Sequence, residues 1–357
     1  MKETVKVLAR HNRLLAKCLA ILEYITKGKN YQDAQRAVEI FVRGEKKSDR
    51  RYIRNLIGDM LFSRFYYWTS MDEYFFYRFM DKTDAERRAY IGWFEKKKLC
   101  DDIGDTASRK PLDDKYECYV IFREYYGRDM MKISGPEDKS VFEEFLSKHR
   151  EFMVKPIDRS GGRGIYRMVT ESADIDKCFQ MVLADGPCIV EQCIHQASET
   201  AQFHPQSVNS IRIATFNNAG SVKILFSMFR AGIGDSIIDN VTAGGIYALV
   251  NTETGKIQSD GYIENGGIYQ KAHPDTGCIF NGFQLPCWSN LLHIVLEAAQ
   301  SFPQHHYISW DFALTDSGWV MIEANSRGEF DWYQTLAGGF REVFMKEYRE
   351  YKNRSSV

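Results

Sequence analysis

Asp311 in the run Ser309-Trp310-Asp311-Phe312, and Glu323 with Asn325 in Ile322-Glu323-Ala324-Asn325, put three oxygen-bearing side chains on what reads as a β-hairpin. HYISWDFAL is apolar and aromatic, LTDSGW supplies a glycine-containing turn, and WVMIEAN returns as a second β-type run. Buried carboxylates without partners are costly, so a strand that carries them needs a compensating charge. A divalent cation is the simplest compensation, and hard ions such as Mg²⁺ take oxygen ligands of this kind.

A second chemical element lies earlier, in FMVKPIDRSGGRGI (152–165). It reads as a strand bearing Lys155, a glycine-rich turn and another strand. A lysine supplies charge to a polyphosphate. Gly161, Gly162 and Gly164 would let backbone N–H groups approach phosphate oxygens without side-chain interference. The turn lacks the G-K-[ST] and the following helix of a Walker loop, and a hairpin with no ligand is an equal reading of these residues. CIVEQCI (188–194) reads as a strand ending in Glu191 and Gln192, which taken singly is an ordinary strand edge.

The elements that must position these groups fall into two regions. All eight prolines lie at or after Pro111, and only five of the 26 glycines precede it. Before that point, VKVLARHNRLLAKCLAILEYI and RNLIGDMLFSRFYYW space their apolar residues by three and four, as helices with one buried stripe do. From Tyr116 onward, short β-type runs (CYVIFR, EFMVKP, GIYRMV, PCIVEQ, SIRIATF, VKILFSMF, IYALV) alternate with turns. Helical patterns occur at PEDKSVFEEFLSKH, SNLLHIVLEAAQSF and YQTLAGGFREVFMKEYREY. The predicted fold class is α+β.

Composition excludes several classes. With 357 residues, 44% hydrophobic, and 47 basic against 48 acidic residues, the chain has the balance of a globular protein and no general bias toward nucleic acid. No apolar run approaches the roughly 20 residues of a membrane span. The eight cysteines include no C-x-x-C pair and fall mostly in apolar runs, so reduced thiols, a cytoplasmic location and no export are expected. The first 60 residues hold 14 Lys or Arg against 7 Asp or Glu. That excess could draw in an anionic membrane surface or a phosphate-bearing substrate, but its interspersion with apolar residues favours a solvated helix face. The aromatic block FSRFYYWTSMDEYFFYRFM reads as helical core rather than a docking surface.

A lysine in a strand, a glycine loop, a strand ending in Glu, arginines on later strands, and Asp with Glu-x-Asn on a hairpin: in this order the pieces resemble the ATP-grasp superfamily. SIRIATF, SMFR and DNVTAGG are similar to ribosomal-protein glutamate ligases and glutathione synthetases. DEYFFYRF, DDKYECYVIFREYYGRD, VNSIRIATF, DNVTAGGI, HPDTGCIFNGFQLPCW and IEANSRGEFDWYQ most resemble the sugar-transfer-associated ATP-grasp family.

The resemblance implies an ATP-grasp fold, two α+β subdomains clasping ATP (111–200 and 201–357) after a helical region (1–110). It implies that Lys115 and Lys155 bind phosphates under Gly161, Gly162 and Gly164. Glu191, Gln192 and Ile194 would read adenine, with Glu199 available to the ribose. Asp311, Glu323 and Asn325 would hold Mg²⁺, two ions in all. Arg212 and Arg230 would stabilise the transferred phosphoryl group, Asn240 with Gly244 and Gly245 would close on it, and His273 would touch the acceptor or act as a base.

The implied reaction is ATP-dependent ligation of a carboxylate to an amine through an acyl phosphate. Its expected substrates are small or sugar-linked surface-polysaccharide precursors, with no nucleic acid partner, with peripheral membrane contact open and with no oligomeric state assigned. A kinase acting on a hydroxyl and a non-catalytic nucleotide-binding partner of a polysaccharide assembly complex are the rival readings. Related ligases often carry Pro-Gly shortly after E-x-N. Here Ser326-Arg327-Gly328-Glu329-Phe330-Asp331 follows, so Arg327, Asp331 and Gln334 become candidates for reading an unusual acceptor.

Overall fold

The computed structural model describes residues 3–157, 163–170, 175–184 and 186–355. The chain divides into two compact units. One comprises 1–103 with the segments 262–269 and 329–357; the other comprises 104–261 with 270–328.

In the first unit, helices α1 (Glu3–His11), α2 (Arg13–Thr26), α3 (Lys29–Phe41) and α4 (Arg50–Tyr66) follow the three- and four-residue apolar spacing. Asn12 caps α2 by accepting from the Leu15 N–H, and Asp49 caps α4 by accepting from Arg51 and Tyr52, which satisfies donors that a helix start leaves open. Ala16, Leu19, Ala34, Val38, Leu56, Ile57, Met60 and Leu61 form the core. The aromatic block is part of that core, with Phe65, Tyr74, Tyr77 and Phe79 all buried in it. The C-terminal helical pattern divides at Gly338-Gly339 into Asp331–Ala337 and Arg341–Ser355.

The second unit holds two antiparallel sheets. The smaller has the order β1-β4-β2-β3, from β1 (Met130–Ile133), β2 (Glu151–Pro156), β3 (Tyr166–Val169) and β4 (Cys188–Gln192). Phe142, Phe145, Phe179 and Val182, from helices Lys139–Lys148 and Ile175–Ala184, pack with Phe152, Val154 and Val190 of this sheet. The larger sheet is built on β5 (Ser210–Asn218), β6 (Ser221–Ala231) and β7 (Ile246–Val250). Short strands β8 (Gly261–Ile263) and β9 (Ile268–Gln270) overlap the two ends of the 262–269 segment, after which come β10 (Tyr307–Thr315) and β11 (Gly318–Asn325). Through this unit the neighbours run β11-β10-β5-β6-β7. Every residue of β5 and nearly every residue of β10 is buried, so the polar side chains these strands carry, Arg212 and Asp311 among them, need partners inside the fold.

One expected strand is absent. CYVIFR lies in helices Lys115–Ile121 and Arg123–Tyr126 instead. Asp114 accepts from the Tyr116 and Glu117 N–H groups and starts the first helix, whose Cys118 and Tyr119, followed by Phe122 and Tyr126, are buried at helical spacing. Capping and packing override the β-preference of Tyr, Val and Ile.

Candidate active site

The hairpin read from the sequence is β10-β11, and its register sets Asp311 directly opposite Glu323 and Ser309 opposite Asn325. On the other side of β10, Asp311 pairs with Arg212 of β5. A register shift between Asp311 and Phe312 falls at this point of the hairpin.

Asp311 is 1% exposed and is gripped by two arginines. Arg212 donates from Nε to Oδ1 and from Nη2 to Oδ2, both at 2.8 Å, and Arg230 Nη2 lies 3.0 Å from Oδ2. Burial alone would raise this carboxyl, yet the two guanidiniums hold it down to about 2. Arg230 is fixed in turn, donating from Nε and Nη2 to Ser210 Oγ at 3.0 and 2.7 Å, and Ser210 donates to Asp239. Burial pushes the Asp239 carboxyl up against the charge of Arg230.

Glu323 has the opposite character. Burial and then the neighbouring Asp311 charge push its carboxyl upward, while Lys155, Arg212 and Lys115 act in the other direction. The Asn325 amide lies 3.4 Å from both Asp311 Oδ2 and Glu323 Oε1. Among the described residues no three His, Cys, Asp or Glu side chains converge as a metal cluster. The candidate set is two carboxylates and an amide. Its donors are all oxygen-bearing, and Glu323 forms no ion pair among the described residues, so the set fits a hard divalent cation.

Lys155 on β2 and Glu191 on β4 form an ion pair, and Arg128 Nη2 donates to the other Glu191 oxygen at 3.1 Å. Against burial, these cations hold Glu191 below the usual carboxylate range. Gln192 is tied to Asp129 through its backbone N–H at 3.0 Å and its side chain at 3.3 Å, and Ile194 is half-buried just beyond β4. Glu199 is exposed on the short helix Ser198–Ala201. Lys115 opens the helix capped by Asp114, and its charge acts on Glu323. Gly164 has φ +74, a backbone that favours glycine. Gly161 and Gly162 lie outside the described residues.

Asn240 caps a single 3₁₀ turn by accepting from the Thr242 N–H at 2.9 Å, with Gly244 following at φ +100. A Cβ on Gly245 would lie 2.7 Å from the Asp239 carbonyl oxygen, so glycine is needed for that close approach. His273 is 1% exposed and has both ring nitrogens engaged by backbone: Nε2 donates to Gly232 O at 2.7 Å and Nδ1 accepts from the Asp275 N–H at 3.3 Å. This is how a residue that holds a turn is bound.

Arg128, Ser210 and Asp239 are parts of the network that motif reading did not single out. Arg128 also donates to the Tyr126, Met321 and Ile322 carbonyls, joining β11 to Glu191 of the smaller sheet. Its sequence signal is its place in Gly127-Arg128-Asp129, at the end of the DDKYECYVIFREYYGRD piece. Gln334, a candidate acceptor reader, is fully buried in the helical unit. It donates to Tyr77 Oη and Ile91 O and accepts from the Ile91 N–H, so its amide is committed to structure.

Residues 178–340 match the family described as sugar-transfer associated ATP-grasp. No curated protein sequence matches the chain. Similar solved structures include the D-alanine-D-alanine ligase from Coxiella burnetii, at 11% identity and TM-score 0.43 over 71% of this chain and 62% of that one. The Bacillus anthracis D-alanine-D-alanine ligase complexed with ATP has 13% identity and TM-score 0.44, over 70% of this chain and 71% of that one. The D-Ala:D-Ser ligase from Enterococcus faecalis has 13% identity and TM-score 0.45, over 70% and 64%. The chain thus spans less than two thirds of the first and third of these proteins.

Proposed function

We propose, from the premise that this chain belongs to the sugar-transfer-associated ATP-grasp family through residues 178–340, that it is an ATP- and Mg²⁺-dependent carboxylate–amine ligase. One observation carries this reading: Asp311 and Glu323 face each other across β10-β11, with Arg212 and Arg230 at the same point of the sheet. Acids that would hold a cation, beside guanidiniums that would hold a phosphoryl group, suit transfer of the ATP γ-phosphoryl group.

In this reading Asp311, Glu323 and Asn325 hold Mg²⁺, which when bound neutralises triphosphate charge. Lys155 and Lys115 bind phosphate oxygens. Arg212 and Arg230 stabilise charge on the phosphoryl group as it passes to a substrate carboxylate oxygen and ADP departs. An amine then attacks the acyl carbon, phosphate leaves, and the amine proton goes to solvent. The substrates are a carboxylate and an amine, one of them borne on a sugar or surface-polysaccharide precursor, and the reaction belongs in the cytoplasm. His273 is left out of the chemistry because both of its nitrogens are engaged.

The test is ADP release by the purified chain with Mg-ATP across a panel of carboxylates and amines, with hydroxylamine as a surrogate amine. A hydroxamate is expected. A stable phosphoester would establish a kinase instead, and ATP binding without any turnover would establish a non-catalytic nucleotide-binding protein.

A further inference from the structure

Helix α2 is apolar on two faces. Ala16, Leu19 and Ala20 enter the core of the helical unit, but Leu14 is 71% exposed, Ile21 59%, Leu22 55% and Ile25 71%, and Cys18 is exposed among them. At 3.6 residues per turn Leu14, Cys18, Ile21 and Ile25 fall within about 60° of arc. A surface helix that only meets water carries polar residues on such an arc.

The charges that border this arc are positive. Exposed Arg13 and Lys17 border the apolar stripe, and Lys27 sits at the C-cap. The sole acid of α2, Glu23, is half-buried and accepts from Asn30 Nδ2 at 2.9 Å.

Beside the stripe, α2 and α4 line a cleft of about 500 Å³ with Lys17, Ile21, Phe62, Tyr67, Lys82 and Arg87 among its walls. Two acids also line it, and both are neutralised. Asp59 takes a bidentate pair from Arg87 at 2.8 and 2.7 Å, and Asp84 takes Arg13 at 2.8 Å and Arg88 at 3.0 Å. Neither Lys17 nor Lys82 forms a direct ion pair among the described residues, although the Lys82 charge acts on Glu86. An exposed apolar stripe beside a cleft lined by Arg13, Lys17, Lys82 and Arg87 against Asp59 and Asp84 complements one kind of surface, in which phosphates overlie hydrocarbon.

We propose that the outer face of α2 and its adjoining cleft dock on an anionic phospholipid membrane, with Leu14, Ile21 and Ile25 entering the acyl boundary and Lys17 and Lys82 meeting headgroup phosphates. The docking is peripheral, since no helix among the described residues is long and apolar enough to cross a membrane.

The experiment is flotation of the full chain with vesicles of phosphatidylcholine alone or mixed with phosphatidylglycerol, at low and high salt. Flotation only with the anionic vesicles, weakened by salt, is expected. Lys17→Glu with Lys82→Glu is expected to lower the apparent affinity at least about tenfold. Ile21→Ser with Ile25→Ser should lower it comparably, and because both side chains are exposed the fold should be kept, as circular dichroism will verify. Lys17→Glu alone carries the charge test if the double variant misfolds. Equal flotation with both vesicle types, no flotation, or unchanged flotation of the charge-reversed and serine variants overturns the proposal. So does a dimer in sedimentation velocity that Ile21→Ser with Ile25→Ser dissociates while no vesicle binding is seen, because the stripe would then cover a second copy of the chain.

Discussion

Arg212 and Asp311 are direct partners across the β5-β10 ladder, and the guanidinium fork meets both carboxylate oxygens at 2.8 Å. The pair is buried on both sides, with Arg212 4% and Asp311 1% exposed. Glu323 approaches the same carboxylate from β11, so one acid is satisfied by cations already in the chain while its neighbour is not. That asymmetry lets the two acids be separated by experiment.

Asp311→Asn is expected to remove the carboxylate that Arg212 and Arg230 share, leaving Arg230 only the longer pair to Asp239 at 3.6 Å, at a cost of about 3–5 kcal/mol in urea denaturation. Glu323→Gln removes the acid that burial and Asp311 already disfavour, so its stability should be unchanged or raised. Both should abolish ADP release. If Asp311→Asn denatures at the same urea concentration as the parent, the two guanidiniums do not depend on it.

The hairpin, its metal-type donors and the strands carrying Lys155, Arg212 and Arg230 were legible in the sequence because a period-2 or fully buried strand pattern is local, and a charge interrupting it is conspicuous. The helix at Lys115–Ile121 was not, since its start depends on the Asp114 cap and its burial on residues distant in sequence. Arg128 was also illegible, because its meaning lies in reaching Glu191 and the Met321 and Ile322 carbonyls, 63 to 194 positions away. Gln334 illustrates the converse. Its place after the metal motif suggested an acceptor contact, whereas its amide closes on Ile91 and Tyr77.

Arg128→Ala should therefore destabilise the second unit by about 3–5 kcal/mol, by leaving buried Glu191 with only Lys155. Arg128→Lys should rescue little, because an ammonium cannot span a carboxylate and several carbonyls as the planar fork does. Denaturant midpoints of the two variants provide the check, and full rescue by Lys would show that charge alone suffices.

His273→Ala is expected to lower stability by about 1–3 kcal/mol through the lost Gly232 bond, while the pH profile of kcat stays as in the parent. A base would instead remove a limb of that profile. Burial depresses the imidazole's proton affinity, opposed by the Gly232 bond. The neutral ring is thus favoured in the folded state, and its contribution is present above the unfolded value near 6.5 and lost as pH falls below it. The His273→Ala melting temperature should show less of this acid-side loss.

Glu264 makes the pH dependence of the helical unit run the other way. Burial, then the charges of Asp331, Asp72 and Glu329, push its carboxyl up to about 8, while its Oε1 has no hydrogen-bond partner and a Trp332 side-chain bond opposes the shift. Lys96 lies 3.8 Å from Asp331 and 3.9 Å from Glu329. Glu73, bonded by Tyr77 and the Ser70 and Trp93 N–H groups, is raised in the same direction to about 7, by burial first and then by Asp331. At these two sites the folded chain therefore holds protons that the unfolded chain releases near pH 4.5, and their contribution to stability is fully present below that value and is lost as pH rises toward about 8. The melting temperature should fall between about pH 5 and pH 8, and Glu264→Gln, which keeps the neutral shape at every pH, should flatten the decline. A variant whose melting temperature falls as steeply as the parent's would mean that Glu264 is already ionised in the folded chain, with Lys96 or solvent supplying the compensation.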